Sequence, residues 1–195
     1  MNIDAYSPQV IIGGCVVVLF AVVVIAWGIA RQRQRRRTEE LRRRFGAEYD
    51  YALRRYRSRG RAEAALGARL RRMEQHTVRP LTSAEDNRFL SEWDGIQARF
   101  VEHPRGAVTE ADELINNLLQ ARGYPGTRFE QRADDLSVTH PRFVDPYRRA
   151  YDIMARAGKN EATTEELRTA MILYRALFDE LTESKTVEIR HAEAA

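Results

Sequence analysis

Asp134 and Asp135 are adjacent carboxylates, His140 follows five residues after the second, and Glu130, Gln131 and Arg132 stand just before them. Paired carboxylates beside an imidazole could move a proton or hold a cation. The same residues also read as structure. An Asp pair near a helix end can meet neighbouring arginines or cap the next turn, and His140 stands before Pro141, where a cap is expected. The surrounding charge is mixed, which suits ion pairs better than a metal cage, so the expectation here is structural.

No stronger catalytic pattern is present. The chain has no Gly-x-x-x-x-Gly-Lys-Ser/Thr loop and no Gly-x-Ser-x-Gly elbow. Its one cysteine, Cys15, lies inside an apolar run, which excludes a cysteine nucleophile and an intramolecular disulfide. The four histidines, His76, His103, His140 and His191, are far apart and none has a zinc-like spacing to a second ligand. The expectation is therefore a non-enzymatic protein with no catalytic residue, no cofactor and no metal site.

The remaining chemistry is charge. Arg31, Arg33, Arg35, Arg36 and Arg37 follow directly on the apolar run, and Arg42, Arg43 and Arg44 come one turn later. Residues 31–75 hold 16 Arg against 6 Asp/Glu, a net +10, whereas residues 76–195 hold 16 Lys/Arg against 21 Asp/Glu, a net −5. Basic charge concentrated in one segment argues for a local contact with anions. Only Lys159 and Lys185 among the 32 basic residues are lysine. With abundant alanine, this is the codon signature of a GC-rich bacterial genome.

The elements that must place these arginines begin with the apolar run. No charge occurs from Ala5 to Ala30, and the dense part, Val10 to Ala30, is 21 residues. As a helix it spans about 30 Å, a bilayer's hydrocarbon core. Trp27 near its end suits an interface anchor. A cleaved signal peptide needs a basic start, yet Met1 to Gln9 has no Lys or Arg. A lipobox at Ile12-Gly13-Gly14-Cys15 has most of its apolar residues on the wrong side of the cysteine. A buried core helix sits poorly beside an arginine cluster. The run therefore reads as a transmembrane helix. Arginines next to a span are retained in the cytoplasm, so the N-terminus is expected outside and the rest inside, at a bacterial inner membrane.

The chain divides into a short extracytoplasmic tail (1–9), a transmembrane helix (10–30), an amphipathic juxtamembrane segment (31–75), a helical domain (76–184) and a flexible tail (185–195). In the juxtamembrane segment Thr38 is expected to cap a helix. Leu41, Phe45, Tyr49, Leu53 and Tyr56, spaced 4, 4, 4 and 3, draw one stripe. That stripe either packs on the domain or lets Phe45 and the tyrosines dip into the lipid interface while the arginines lie on headgroups. Ser58-Arg59-Gly60 reads as a candidate break: a bend there would give a helical hairpin, and a straight stalk is the other option.

In the domain, Ser83 and Asp86 suggest a cap, and helices are expected over 84–102, 107–122 and 127–136. A fourth should begin at Pro141 or at Asp145-Pro146, and a last one after a Thr163/Glu166 capping box. Buried faces are expected at Phe89, Trp93, Ile96 and Phe100, at Val108, Ala111, Leu114/Ile115 and Leu118, and at Leu167, Ala170/Met171, Tyr174, Leu177/Phe178 and Leu181. No segment alternates with period two, so the fold class is all-α, one span followed by a small helical bundle.

The phrases LRRRFGAEYDYAL (41–53), VRPLTSAEDNRFLSEWDGIQARFVEHP (78–104) and ARGYPGTRFEQRADDLSVTHPRFVDPYRRAYDI (121–153) carry a resemblance to a group of uncharacterised, mainly actinobacterial proteins. That group has one N-terminal span, an Arg-rich juxtamembrane stretch and a helical cytoplasmic domain. The resemblance implies a membrane-anchor architecture and supplies no catalytic residues. The function expected is scaffolding or recruitment of a protein partner at the membrane, with the arginines setting topology and contacting anionic lipid. A membrane-tethered nucleic-acid binder using the same arginines is the alternative.

Overall fold

The computed structural model describes the backbone of residues 8–192 and the side chains of residues 19–183. Among the described residues there are eight α-helices, one 3-10 turn and no strand: α1 Pro8–Phe45, α2 Ala47–Tyr56, α3 Arg59–Glu74, α4 Ser83–Arg99, α5 Pro104–Ala121, α6 Phe129–Thr139, the 3-10 turn Pro141–Phe143, α7 Val144–Ala157 and α8 Thr164–Ala192. The chain forms two compact units, divided between Arg43 and Arg44.

The first unit holds α1 as far as Arg43; the helix's last two residues, Arg44 and Phe45, belong to the second. Helix α1 carries the arginines on the same helix as the apolar run. Thr38 is no cap; it lies inside the helix, and its hydroxyl donates to the Gln34 carbonyl at 2.9 Å. Among the described residues no helix is long and apolar enough to cross a membrane. The described side chains begin at Leu19, which leaves Leu19 to Ala30, twelve residues or about 18 Å of helix. The side chains of Val10 to Val18, the first part of the expected span, lie outside the described residues, as do those of the expected tail 1–9.

The second unit starts with a helical hairpin. Gly46 separates α1 from α2 at φ +53 and ψ −126, a conformation open to glycine and strained for any residue with a Cβ. The candidate break near Gly60 falls slightly earlier. Arg57 ends α2 in the left-handed region, Ser58 is extended, and Gly60 lies in the first turn of α3. Phe45, Tyr49 and Ala52 are buried with Ala62 and Leu66, while Leu53 and Tyr56 are half-buried. Phe45 and Tyr49 are thus spent inside the unit and do not dip into an interface.

The bundle comprises α4, α5, α7 and α8, with α8 packed on both α5 and α7. Trp93 and Phe178 stack at 5.1 Å, and Tyr147 meets Tyr174 edge-on at 6.2 Å. Every buried position expected on α4, α5 and α8 is buried except Phe100, which packs half-exposed at the end of α4. The α4 cap is one residue earlier than expected. Thr82, not Ser83, accepts from Glu85 N, and the Glu85 carboxylate accepts from Thr82 N. The second box is as read: Glu166 N donates to the Thr163 hydroxyl, and Thr163 N to Glu166. Pro141 opens the 3-10 turn, so Asp145-Pro146 falls inside α7 and does not cap it. The backbone of α8 is helical to Ala192, and the side chains of the expected flexible tail, 185–195, lie outside the described residues.

Candidate functional site

Glu48 lies on α2 between Phe45 and Ala52, on the side of the helix that turns inward. It is 1% exposed, and two guanidiniums enclose it. Arg69 of α3, itself 3% exposed, donates from Nη1 to Glu48 Oε1 at 2.6 Å. Arg148 of α7 donates from Nη1 to Oε2 at 2.5 Å and from Nη2 to Oε1 at 3.0 Å, a two-point clasp. Arg148 also lies over the Tyr51 ring at 3.8 Å. Arg69 reaches onward to the Ser137 hydroxyl at 3.2 Å and pairs with Asp134 at 2.6 Å. One turn along α3, Arg72 donates from Nε to Asp135 at 2.8 Å.

These contacts form an ionic seam in which α2 and α3 meet α6 and α7. Glu48, Asp134 and Asp135 supply three negative charges; Arg69, Arg72 and Arg148 supply three positive ones. Balance is required, because an unpaired buried charge costs several kcal/mol of hydration, about 3–5 kcal/mol when one partner is removed. Burial pushes both Asp134 and Asp135 above the ordinary carboxylate range, and the facing Arg69 and Arg72 oppose that rise. Gly126 closes the seam: a Cβ there would lie 2.7 Å from both Asp135 Oδ2 and Arg132 N.

The six residues singled out in the sequence are all well placed but do not converge. Glu130 pairs with Arg55 at 3.0 Å on the surface. Gln131 is half-buried. Arg132 points into the bundle, where Nε donates to the Tyr147 hydroxyl at 2.9 Å, Nη1 to the Thr127 carbonyl at 3.1 Å and Nη2 to Asp112 at 3.3 Å. Tyr174 donates to the other Asp112 oxygen at 3.1 Å. Asp134 and Asp135 belong to the seam. His140 serves neither as a side-chain cap nor as a neighbour of the carboxylate pair. Its Nδ1 meets the Thr139 hydroxyl at 2.8 Å and the Tyr124 hydroxyl at 3.3 Å. Burial, helped by Arg122, lowers its pKa to about 4, although Glu180 stands 3.8 Å from Nε2. That carboxylate is 41% exposed, so its pull is screened by water.

Glu48, Arg69 and Arg148 were not singled out in the sequence, yet a signal was there. Glu48 shares a helical face with Phe45, Tyr49 and Ala52, and Arg69 shares one with Ala62, Leu66 and Met73. A charge repeated into a buried face announces a buried partner; which partner is set by the tertiary fold.

Among the described residues no group of three His, Cys, Asp or Glu side chains is placed to hold a metal ion. Surface clefts among the described residues include one of about 400 Å³ between α4 and α5 beside the Arg99–Glu110 pair and one of about 320 Å³ at the starts of α5 and α8. On α1, Arg31, Arg33, Arg35, Arg36, Arg37, Arg42 and Arg43 are exposed, as is Arg44 at the start of the second unit. Trp27 is 62% exposed, and the Arg31 guanidinium lies 5.1 Å from its ring. The chain matches no protein-family model, and neither a curated protein nor a solved structure matches it.

Proposed function

We propose that this protein is a single-pass bacterial inner-membrane protein whose helical domain, on the cytoplasmic side, scaffolds or recruits a protein partner without catalysing a reaction. In this reading Val10 to Ala30 spans the bilayer and Trp27 sits at the interface. Arg31, Arg33, Arg35, Arg36, Arg37, Arg42, Arg43 and Arg44 fix the topology and contact anionic headgroups. This is the architecture of the actinobacterial proteins the sequence resembles.

The carrying observation is the apolar surface of α1. Leu19, Phe20, Val22, Val23, Val24, Ile25, Trp27 and Ile29 follow one another around the helix, and all are exposed, from 46% to 69%. A helix that is apolar all round belongs in a core or in lipid. The arginines that begin at its end fit a cytoplasmic headgroup layer. In the domain, Asp134, Asp135 and His140 are each held by a different partner, Arg69, Arg72 and the Thr139 hydroxyl, which supports structural roles for these three.

The test is fractionation and topology of the full chain in a bacterial host. The protein should stay with membranes through alkaline carbonate, and a reporter fused at the C-terminus should be active only as a cytoplasmic fusion. Release into the carbonate supernatant would overturn the anchored reading. Tagged full-length protein recovered from native membranes should then carry a stoichiometric protein partner; recovery of the chain alone would overturn the scaffold reading.

A further inference from the structure

The run RRYRSRGR, Arg54 to Arg61, has five arginines in eight residues and no carboxylate. The fold divides them into two kinds. Arg55 is paired with Glu130 at 3.0 Å and Arg59 with Glu63 at 3.2 Å. Arg54, Arg57 and Arg61 are exposed and have no carboxylate partner among the described residues. Arg54 is in the last turn of α2, Arg57 ends that helix, and Arg61 is in the first turn of α3, so all three crowd the tip of one hairpin.

We propose that this tip is a second contact for anionic phospholipid headgroups, made by the helical domain itself through Arg54, Arg57 and Arg61. The proposal rests on the membrane-anchored reading above.

Three observations support it. The first is Arg57, which has φ +49 and ψ 17. That left-handed conformation is the usual place of glycine at a helix end and is strained for a long side chain. The backbone turn closes α2, with Arg57 N donating to the Leu53 carbonyl at 3.0 Å, while the guanidinium is left exposed with no ion pair among the described residues. The second is the setting. Ser58 makes no side-chain cap and the first turn of α3 has no acid, so the positive end of that helix adds to the field of the three arginines. The third is rigidity. The ionic seam fixes α2 and α3 against α6 and α7, so the tip is presented on a held element.

The shape of the tip selects the partner. Three cations on a convex turn can meet a plane of phosphates. A nucleic-acid strand is followed along a groove with exposed aromatic platforms, and the one aromatic here, Tyr56, is half-buried. From Gly46 to Arg57 there is a single ten-residue helix, about 15 Å long.

The full chain tests this with a fluorophore at Gly60→Cys in a Cys15→Ser background. A Cβ at Gly60 meets no atom within 4 Å and the position is exposed, so the cysteine fits without a clash. Protein is reconstituted in vesicles of phosphatidylcholine alone, or with about three parts in ten phosphatidylglycerol, together with a headgroup-attached nitroxide quencher. Quenching should be at least about threefold stronger with phosphatidylglycerol and should fall to the neutral-lipid level in Arg54→Gln/Arg57→Gln/Arg61→Gln. Equal quenching in both lipids, or an undiminished signal in the triple variant, would overturn the proposal. So would abolition of the signal by inorganic phosphate, which assigns the site to free phosphate, or by duplex DNA, which assigns it to nucleic acid. If carbonate strips the chain from the vesicles, the anchored reading fails separately. The same label on chain added to preformed vesicles then decides the tip: lipid-dependent quenching supports it and none overturns it.

Discussion

The α2–α3 hairpin and the α4–α5–α7–α8 bundle are neighbours in one unit, and they cohere in different ways. The bundle closes on Trp93, Phe89, Tyr174 and Phe178, all nearly sealed from solvent. The hairpin keeps a small apolar seam of its own, Phe45, Tyr49, Ala52, Ala62 and Leu66, outside the bundle's apolar cluster, to which α3 contributes Met73. It meets α6 and α7 through Glu48, Arg69, Arg72, Arg148, Asp134 and Asp135. Apolar burial is non-directional and tolerates small shifts, whereas a two-point Arg–carboxylate clasp holds only in one orientation. The difference suggests that the bundle supplies most of the stability and the seam fixes the angle at which the hairpin is presented.

The largest effect should come from the bundle. Trp93→Ala removes the ring stacked on Phe178 and should cost about 4 kcal/mol in denaturant unfolding, with all helices melting together. A loss under about 1 kcal/mol would show that the stacked pair does not hold the bundle.

Next comes Glu48→Gln, which leaves Arg69 and Arg148 without the carboxylate that pairs them and should cost about 3 kcal/mol. Its decisive readout is hydrogen exchange. Amides of α2 and α3 should lose protection while those of α8 keep theirs. Equal loss in both would mean that seam and core open as one, and the contrast would collapse.

A third effect is set by pH. His140 has a folded pKa near 4 against an ordinary 6.5. Its contribution is therefore full above pH 6.5 and is lost as pH falls toward 4. The loss should reach about 2 kcal/mol after allowing for the screened pull of Glu180. A plot of stability against pH for His140→Asn should be flatter over that window; parallel curves would place the acid response elsewhere. The smallest effect should be Thr163→Ala at the start of α8, about 1 kcal/mol, with hairpin protection unchanged.

The bundle was legible because its helices bury one face each. Phe89, Trp93 and Ile96, or Leu167, Tyr174 and Leu181, recur at helical spacing, and each apolar residue needs only some apolar neighbour. Boundaries moved by a residue or two where two capping residues competed, as Thr82 and Ser83 did. The seam was not legible to the same degree. Glu48 and Arg148 are 100 positions apart, and neither can be understood without the other. The chain from Leu41 to Tyr56 read as one stripe, yet it is cut at Gly46, because a single glycine at positive φ outweighed the helical preference on either side. Asp134 and Asp135 were noticed for their chemistry, and the mixed charge around them was the true signal of what they do.

The ionic contacts have a consequence for covalent regulation. Every cation in the seam, at the hairpin tip and along Arg31 to Arg44 is an arginine, and the chain's only lysines are Lys159 and Lys185. A guanidinium keeps its charge at any physiological pH and is not a substrate for lysine acetylation. Lysine acetylation therefore cannot remove the charge of the seam, of the hairpin tip or of Arg31 to Arg44. Ionic strength still tunes its reach, because mobile salt screens exposed charges.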